Sequence, residues 1–285
     1  MSYYRALGLK KEPFSTSPDP EFFYRSSSHD RALKKLEIAI RLRRGLSVII
    51  GDVGLGKTTL SRMLLQSFRG DDDFVFCAVL DPDFNTEYEL LLRLAKSLAI
   101  GENFSSPRQL KESLERYLFK AGVEDNKTVV LVIDEGQKLA AENIEVIRTL
   151  LNYETNEHKL LQVIILAQVE LLAKIKNIHN FTNRISLNYR IGPLDEKETR
   201  AMIEFRLAQA GLRGENLFTD GALSLIFQCS RGCPRTITML CHDALERLIM
   251  DDKEIVDEGV INDLIKFSQI KKFSHIGHVE NVEMK

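Results

Sequence analysis

Cysteine is scarce in this chain: Cys77, Cys229, Cys233 and Cys241 are the four present in 285 residues. So few thiols exclude a disulfide framework. Their spacing, with His242 beside Cys241, matches no zinc pattern, and Cys229 and Cys241 read as buried free thiols in apolar helical contexts. Long apolar runs are also lacking. No stretch approaches the ~18 uninterrupted apolar residues that a bilayer span requires, and the opening Met1-Ser2-Tyr3-Tyr4-Arg5 has no apolar segment of signal-peptide type. The net charge of −2 gives no global attraction to nucleic acid or membrane. Internal repeats and low-complexity tracts are absent. A reducing, cytoplasmic setting is therefore expected. What remains, 44% apolar and 28% charged residues, is the composition of an ordinary globular chain with ample core for one large or two moderate domains.

Within that ordinary composition stands one sharp signal, Gly51-Asp52-Val53-Gly54-Leu55-Gly56-Lys57-Thr58. It fits G-x-x-x-x-G-K-[ST], the phosphate-binding loop. A chain of average residue usage would match its four fixed positions by accident in roughly one case in a hundred. The flanks lower that chance further. Leu46 to Ile50 is a short β-branched run expected to be a buried strand, and Thr59 to Leu65 carries apolar residues at helical spacing. Glycines let the loop curl its N–H groups inward, and the helix that follows adds the positive end of its dipole. Lys57 is then expected to reach the β- and γ-phosphates of ATP and Thr58 to ligate Mg²⁺, with Gly51 through Thr59 forming the nucleotide cradle.

Upstream, residues 1 to 30 hold Tyr3, Tyr4, Phe14, Phe22, Phe23 and Tyr24 among Pro13, Pro18 and Pro20. Prolines preclude a continuous helix, so an extended arm pinned by its aromatics is expected, either walling the adenine or covering core. Ser27 and Asp30 fit a capping box opening a helix through Ala32, Leu33, Leu36, Ala39 and Ile40. Arg41, Arg43 and Arg44 close that helix, as a solvated end or a small DNA-touching cluster. His29 reads as a capping or packing residue, or as a neighbour of the nucleotide. Downstream, strands are expected at 74–80, 128–133, 160–167 and 185–191. Helices are expected at 85–99, 107–121, 142–153 and 169–176. This interleaving implies a parallel sheet with helices on both faces. From Gly192-Pro193 onward the pattern is helical only, at 195–210, 219–229, 234–250 and 257–267. The implied organisation is an arm over 1–30, an α/β domain over 31–192, a helical lid over 193–270 and a polar tail over 271–285.

The third strand ends in Asp134-Glu135, the expected partner of the phosphate loop. An aspartate at a strand tip can hold Mg²⁺ opposite Thr58, and a glutamate beside it can orient or deprotonate the attacking water. Binding alone would need the aspartate only, so the pair points to hydrolysis. Gln168, at the end of the fourth strand, either senses the γ-phosphate or is a solvated loop amide. Arg235 follows Pro234 in the first turn of a helix, where the dipole disfavours a cation, so it either faces an anion or is a surface residue.

Taken together these motifs resemble the AAA+ ATPases, and among them the general secretion pathway component A family. The resemblance runs over nearly the whole chain. Tyr4, Gly8-Leu9, Pro13-Phe14, Pro18-Asp19-Pro20, Phe23-Tyr24 and His29 are similar to the family's leader. Gly51 to Thr58 resembles its Walker A motif, Ile133 to Leu139 its Walker B, and Gln168-Val169-Glu170-Leu171 its sensor 1. There the family usually has Gly and Pro where Ala167 and Val169 stand. Phe181-Thr182-Asn183-Arg184-Ile185 is similar to the segment with its candidate arginine finger. Gly192-Pro193-Leu194 and Gly232-Cys233-Pro234-Arg235 resemble its lid start and sensor 2. The resemblance implies a sheet of order 5-1-4-3-2, ATP and Mg²⁺ between sheet and lid, and a homo-oligomer. In that oligomer Arg184, with Arg190 as its competitor, reaches a neighbour's γ-phosphate. Secretion-type members often continue into a membrane helix and a peptidoglycan-binding domain, and neither is expected in this sequence. The implied partner is a protein of a secretion, export or pilus apparatus. The alternatives are a DNA-bound regulator that recruits a transposase and a nucleotide-gated scaffold that does not hydrolyse.

Overall fold

The computed structural model describes residues 3–17, 19–101, 103–176, 178, 180–214 and 216–266. Pro18 of the arm, Glu102 at the expected break after residue 99, and the tail over 271–285 lie outside them, as does the last residue of the helix expected over 257–267. The chain divides into two compact units, Ser27–Gly192 and Met1–Ser26 with Pro193–Lys285.

The first unit is built on five parallel strands: β1 (Leu46–Ile50), β2 (Phe74–Val79), β3 (Thr128–Ile133), β4 (Leu161–Ala167) and β5 (Ile185–Arg190). Their order is β2-β3-β4-β1-β5, the expected 5-1-4-3-2 seen from the other edge. β1, β3 and β4 are buried along their whole length, which is why they read as continuous apolar runs. β5, at the edge, alternates between half-buried and exposed residues.

Two cores flank this sheet, and the two-residue period of a strand assigns residues to each. Val48, Ile50, Leu131, Ile133, Val163 and Ile165 face one side. There they meet helices α4 (Glu87–Ser97), α5 (Pro107–Phe119), α6 (Ala141–Leu150) and α7 (Glu170–Lys176). Ile49, Val130, Val132, Ile164 and Leu166 face the other, against α2 (Ser27–Arg41) and α3 (Lys57–Ser67). Each such side chain, fully buried, contributes about 1.5–3 kcal/mol relative to exposure.

Handedness then decides where a ligand can sit. From β1 the chain crosses three strand positions to β2 by way of α3. From β4 it crosses in the opposite direction to β5 by way of α7, on the other face. Right-handed crossovers require that reversal, and a crevice opens between the carboxyl ends of β1 and β4 where it occurs.

Two of the three arginines at the end of α2, Arg41 and Arg43, are structural, while Arg44 is exposed. Arg43 takes a left-handed backbone (φ 48°). Its guanidinium donates to Thr128 Oγ1 at 2.9 Å and to the Asn126 carbonyl at 2.8 Å, tying the end of α2 to the start of β3. Arg41 lies over the rings of Phe68 and Phe74, 4.9 and 5.3 Å from their centroids. Neither is a free cation for DNA. α2 includes Ser27 itself rather than starting after it, and Asp30 ion-pairs with Lys34.

The second unit is helical: α8 (Glu196–Gln209), α9 (Asp220–Ser230), α10 (Pro234–Met250) and a stretch over 258–266. A full capping box, Asp195 with Glu198, starts α8. The arm belongs to this unit. After α1 (Tyr3–Ala6), Phe14 and Phe22 enter its core beside Leu207, Ile226 and Leu245. Both rings lie about 6 Å from the guanidinium of the buried Arg206, which donates to the Ser15 carbonyl. Phe14 is completely buried, so its ring covers core and has no face left for an adenine. Cys241 is buried as expected, whereas Cys229, in the last turn of α9, is exposed.

Gly232 joins α9 to α10 in the left-handed region (φ +72°), and its carbonyl accepts from Leu194 N–H at 2.9 Å. A Cβ there would lie 1.9 Å from the Leu194 carbonyl oxygen, a backbone atom with no freedom to yield. Gly232→Ala is therefore expected to destabilise the helical unit by about 2–4 kcal/mol in chemical denaturation. Gly192→Ala, where a Cβ meets nothing within 4 Å, is expected to change stability by less than about 1 kcal/mol.

Candidate phosphate-binding site

Register brings the carboxyl ends of three strands together. Ile50 pairs with Ala167 and Ile133 with Ile165, so Gly51 and Gln168 leave the sheet side by side and Asp134 leaves it two residues earlier, opposite Leu166. Gly51 N–H donates to the Ala167 carbonyl at 3.1 Å, tying the loop's first residue to the end of β4.

The loop curls because Gly54 and Gly56 sit at φ 81° and 86°, where a side chain would be strained. Gly56 is also the N-cap of α3, its carbonyl accepting from Leu60 N–H at 2.9 Å. Leu55 plugs the crest of the loop into the core beneath α2 and α3. From α2, the buried His29 places Nε2 2.8 Å from the Leu55 carbonyl. That nitrogen carries the proton, since a carbonyl can only accept. His29 thus reaches the backbone of the loop, which makes its packing role and its closeness to the site one role.

Lys57 is 5% exposed, and its Nζ donates to the Gly51 carbonyl at 2.8 Å and the Asp52 carbonyl at 3.0 Å. Burial lowers its pKa, and the charges of Glu135, Asp134, Asp52 and Glu170 oppose that shift. Asp134 is 2% exposed, and burial raises its pKa. Hydrogen bonds from the Thr58 hydroxyl and from Glu135 N–H, at 3.0 Å, pull the other way. The expected metal ligands Thr58 and Asp134 therefore face each other across the site. A hydroxyl and a carboxylate are hard oxygen donors of the kind Mg²⁺ takes, so the residues fit that ion.

Glu135 follows in a left-handed conformation (φ 53°) and leads into a tight turn, Gly136–Lys138. Gln137 in that turn donates from Nε2 to Glu135 Oε2 at 2.6 Å and accepts on Oε1 from Gln168 N–H at 3.0 Å. Sequence reading passed over Gln137, because an amide two residues beyond the carboxylate pair carries no spacing signal.

The remaining expected residues scatter. Asp52 and Val53 are exposed on the loop, while Gly54, Thr58 and Thr59 are half-buried. Gln168 is half-buried at the tip of β4. Arg184 ends the short turn Thr182–Arg184 at the amino end of β5, where Ile185 pairs with Leu46. The length of β1, roughly 15 Å, separates it from its own chain's phosphate loop, and its buried Nε has no hydrogen-bond partner. Arg190 is at the carboxyl end of β5, paired with Ile50 and exposed. Arg235 is exposed on the first turn of α10, in the helical unit.

Comparison with known proteins agrees with this geometry. A family model described as an AAA domain matches residues 40–175. General secretion pathway protein A of Aeromonas hydrophila is 34% identical over 245 residues, 85% of this chain. The match spans 44% of that relative's length. Among solved structures, Cdc6p from Pyrobaculum aerophilum has a TM-score of 0.67 at 18% identity, over 87% of this chain and 69% of its own. The Aeropyrum pernix ORC1 protein in complex with DNA has a TM-score of 0.65 at 15% identity, over 93% and 72%. The Thermotoga maritima RuvB Holliday junction branch migration motor has a TM-score of 0.56 at 14% identity, over 84% and 68%. These likenesses concern the fold alone. Among the described residues no helix is long and apolar enough to cross a membrane. Strand order, loop, acidic strand tip and these matches converge: the chain has the AAA-type P-loop fold, with an AAA domain over residues 40–175, and is a relative of general secretion pathway protein A.

Proposed function

We propose that this chain hydrolyses ATP and uses the turnover to remodel or assemble a protein partner of a secretion, export or pilus apparatus. One observation carries the hydrolysis: the buried Asp134 carboxylate accepts from the Thr58 hydroxyl, with Lys57 beside it and Glu135 next in sequence. In this reading Gly51 to Thr59 cradle the phosphates, Lys57 neutralises β- and γ-oxygens, and Thr58 with Asp134 would hold Mg²⁺. That ion supplies Lewis-acid polarisation of the phosphoryl oxygens when bound. Glu135 takes the proton of the attacking water, and Gln168 and Arg235 sense the γ-phosphate. A second copy supplies Arg184, which makes the active form a homo-oligomer.

The partner class is supported by the similarity to general secretion pathway protein A. A DNA-bound regulator that recruits a transposase is the alternative, supported by the likeness in fold to an ORC1 protein solved with DNA. ATPase activity with and without duplex DNA, at two salt concentrations, separates the two. Steep, salt-sensitive stimulation selects the regulator. A scaffold that does not hydrolyse would bind ATP and release no phosphate.

Glu135→Gln is expected to lower ATP turnover by about 10²–10⁴-fold while retaining ATP binding, read by phosphate release and calorimetry. Wild-type turnover in that variant would remove the base. Arg184→Ala is expected to lower turnover by about 10³-fold or more, and wild-type activity per subunit is expected to rise with protein concentration. Activity independent of both would remove the shared site.

Electrostatics yields a separate expectation. Because burial raises the Asp134 pKa, the folded state holds that proton more tightly than the unfolded chain does. The stability this contributes is present below the ordinary carboxylate range and is lost as pH rises through the raised value. At neutral pH the buried charge is a burden, so Asp134→Asn is expected to raise the melting temperature of the nucleotide-free protein while abolishing Mg²⁺-dependent turnover. A lower melting temperature would show that the carboxylate's partners outweigh its desolvation.

A further inference from the structure

The two carboxylate-bearing and amide-bearing strand tips, β3 and β4, are joined by a single side chain. Gln137 Nε2 donates to Glu135 Oε2 at 2.6 Å while Gln137 Oε1 accepts from Gln168 N–H at 3.0 Å. The second bond settles the amide's orientation, since an N–H can be accepted only by the oxygen, and it leaves the NH₂ end facing the carboxylate. Gln137 is itself held in place. Lys174 Nζ, from α7, donates to the Gln137 and Leu139 carbonyls at 2.5 and 3.0 Å. The turn it belongs to lies flat on β4, where a Cβ on Gly136 would come 2.3 Å from Ile165 Cγ2. Glu135 has no such support of its own. Its backbone is left-handed, and the one side-chain contact on its carboxylate among the hydrogen bonds of the site is Gln137.

We infer that Gln137 is a positioning residue for hydrolysis: it aims the Glu135 carboxylate and couples that aim to the β4 tip that carries Gln168. The inference rests on the proposed role of Glu135 as base. A charge-assisted hydrogen bond occupies one carboxylate oxygen and leaves the other directed for water. Because the far end of the same amide grips the backbone of Gln168, a displacement of the β4 tip by a γ-phosphate moves the carboxylate with it. Gln137 touches neither nucleotide nor water in this account.

The test is a cycle of substitutions at 135 and 137, measuring kcat and KM for ATP and the calorimetric affinity for ATP. Gln137→Glu keeps length and shape and can still accept from Gln168 N–H, but it sets two carboxylates against each other. Gln137→Ala removes the link altogether. Each is expected to lower kcat by about 10–100-fold, with ATP affinity and melting temperature close to wild type. In a Glu135→Gln background, where kcat is already low, adding Gln137→Glu is expected to lower kcat no further, since the residue acts through Glu135. Wild-type kcat in Gln137→Glu, or a loss of kcat matched by an equal loss of ATP affinity, would overturn the inference. So would a Gln137 effect of undiminished size on top of Glu135→Gln. Should Glu135→Gln itself turn over at the wild-type rate, the base assignment fails separately, and that result is read without any change at Gln137.

Discussion

The site rests on a register constraint: β1, β4 and β3 bring their carboxyl ends together because each pairs in parallel with its neighbour and none slips. A one-residue shift of β3 against β4 would turn Asp134 toward the opposite face of the sheet and withdraw it from the Thr58 hydroxyl. The register is secure because both faces of all three strands are buried. Any slip would place Val130 and Val132 where Leu131 and Ile133 fit, against helices of the wrong shape. Core packing thus does more than stabilise the domain. It sets the distance between a hydroxyl and a carboxylate.

Around that constraint the chain accumulates local costs. Lys57 and Asp134 are both desolvated, and burial opposes the charged state of each. Glu135 has a left-handed backbone without being glycine. Such features persist only where surrounding structure over-determines them. Here the surroundings are two apolar cores, the anchoring of Leu55, and the bond from His29 to the loop's crest. The charges are poised to gain partners of opposite sign.

The helical unit follows a different rule. Its core draws on both ends of the described chain, since Phe14 and Phe22 pack among residues of α8, α9 and α10. The buried Arg206 sits between those rings and bonds Thr238 and the Ser15 carbonyl. Without the arm its guanidinium would lose two aromatic faces and one acceptor. Removal of residues before Ser26 is therefore a change to this unit's interior rather than a trimming of its surface.

Patterns spanning a few residues were readable from the chain itself. The phosphate loop, the acidic strand tip and the buried strands Leu46–Ile50 and Thr128–Ile133 announce themselves because glycine φ freedom, two-residue burial and helix capping act over neighbours. Strand order became readable only through likeness to a family, since spacing along the chain does not say which strand lies beside which. Packing alone settled the rest. Arg43 looks like one of three surface cations until its partners Thr128 and Asn126, more than eighty residues away, are beside it. Cys229 looks apolar in its neighbourhood, yet the last turn of α9 leaves it exposed. His29 and Gln137 are ordinary polar residues until folding brings the Leu55 carbonyl and the Glu135 carboxylate within hydrogen-bond reach. Contacts between residues distant in the chain depend on how helices and strands settle against one another, and no local rule of residue order encodes that settlement.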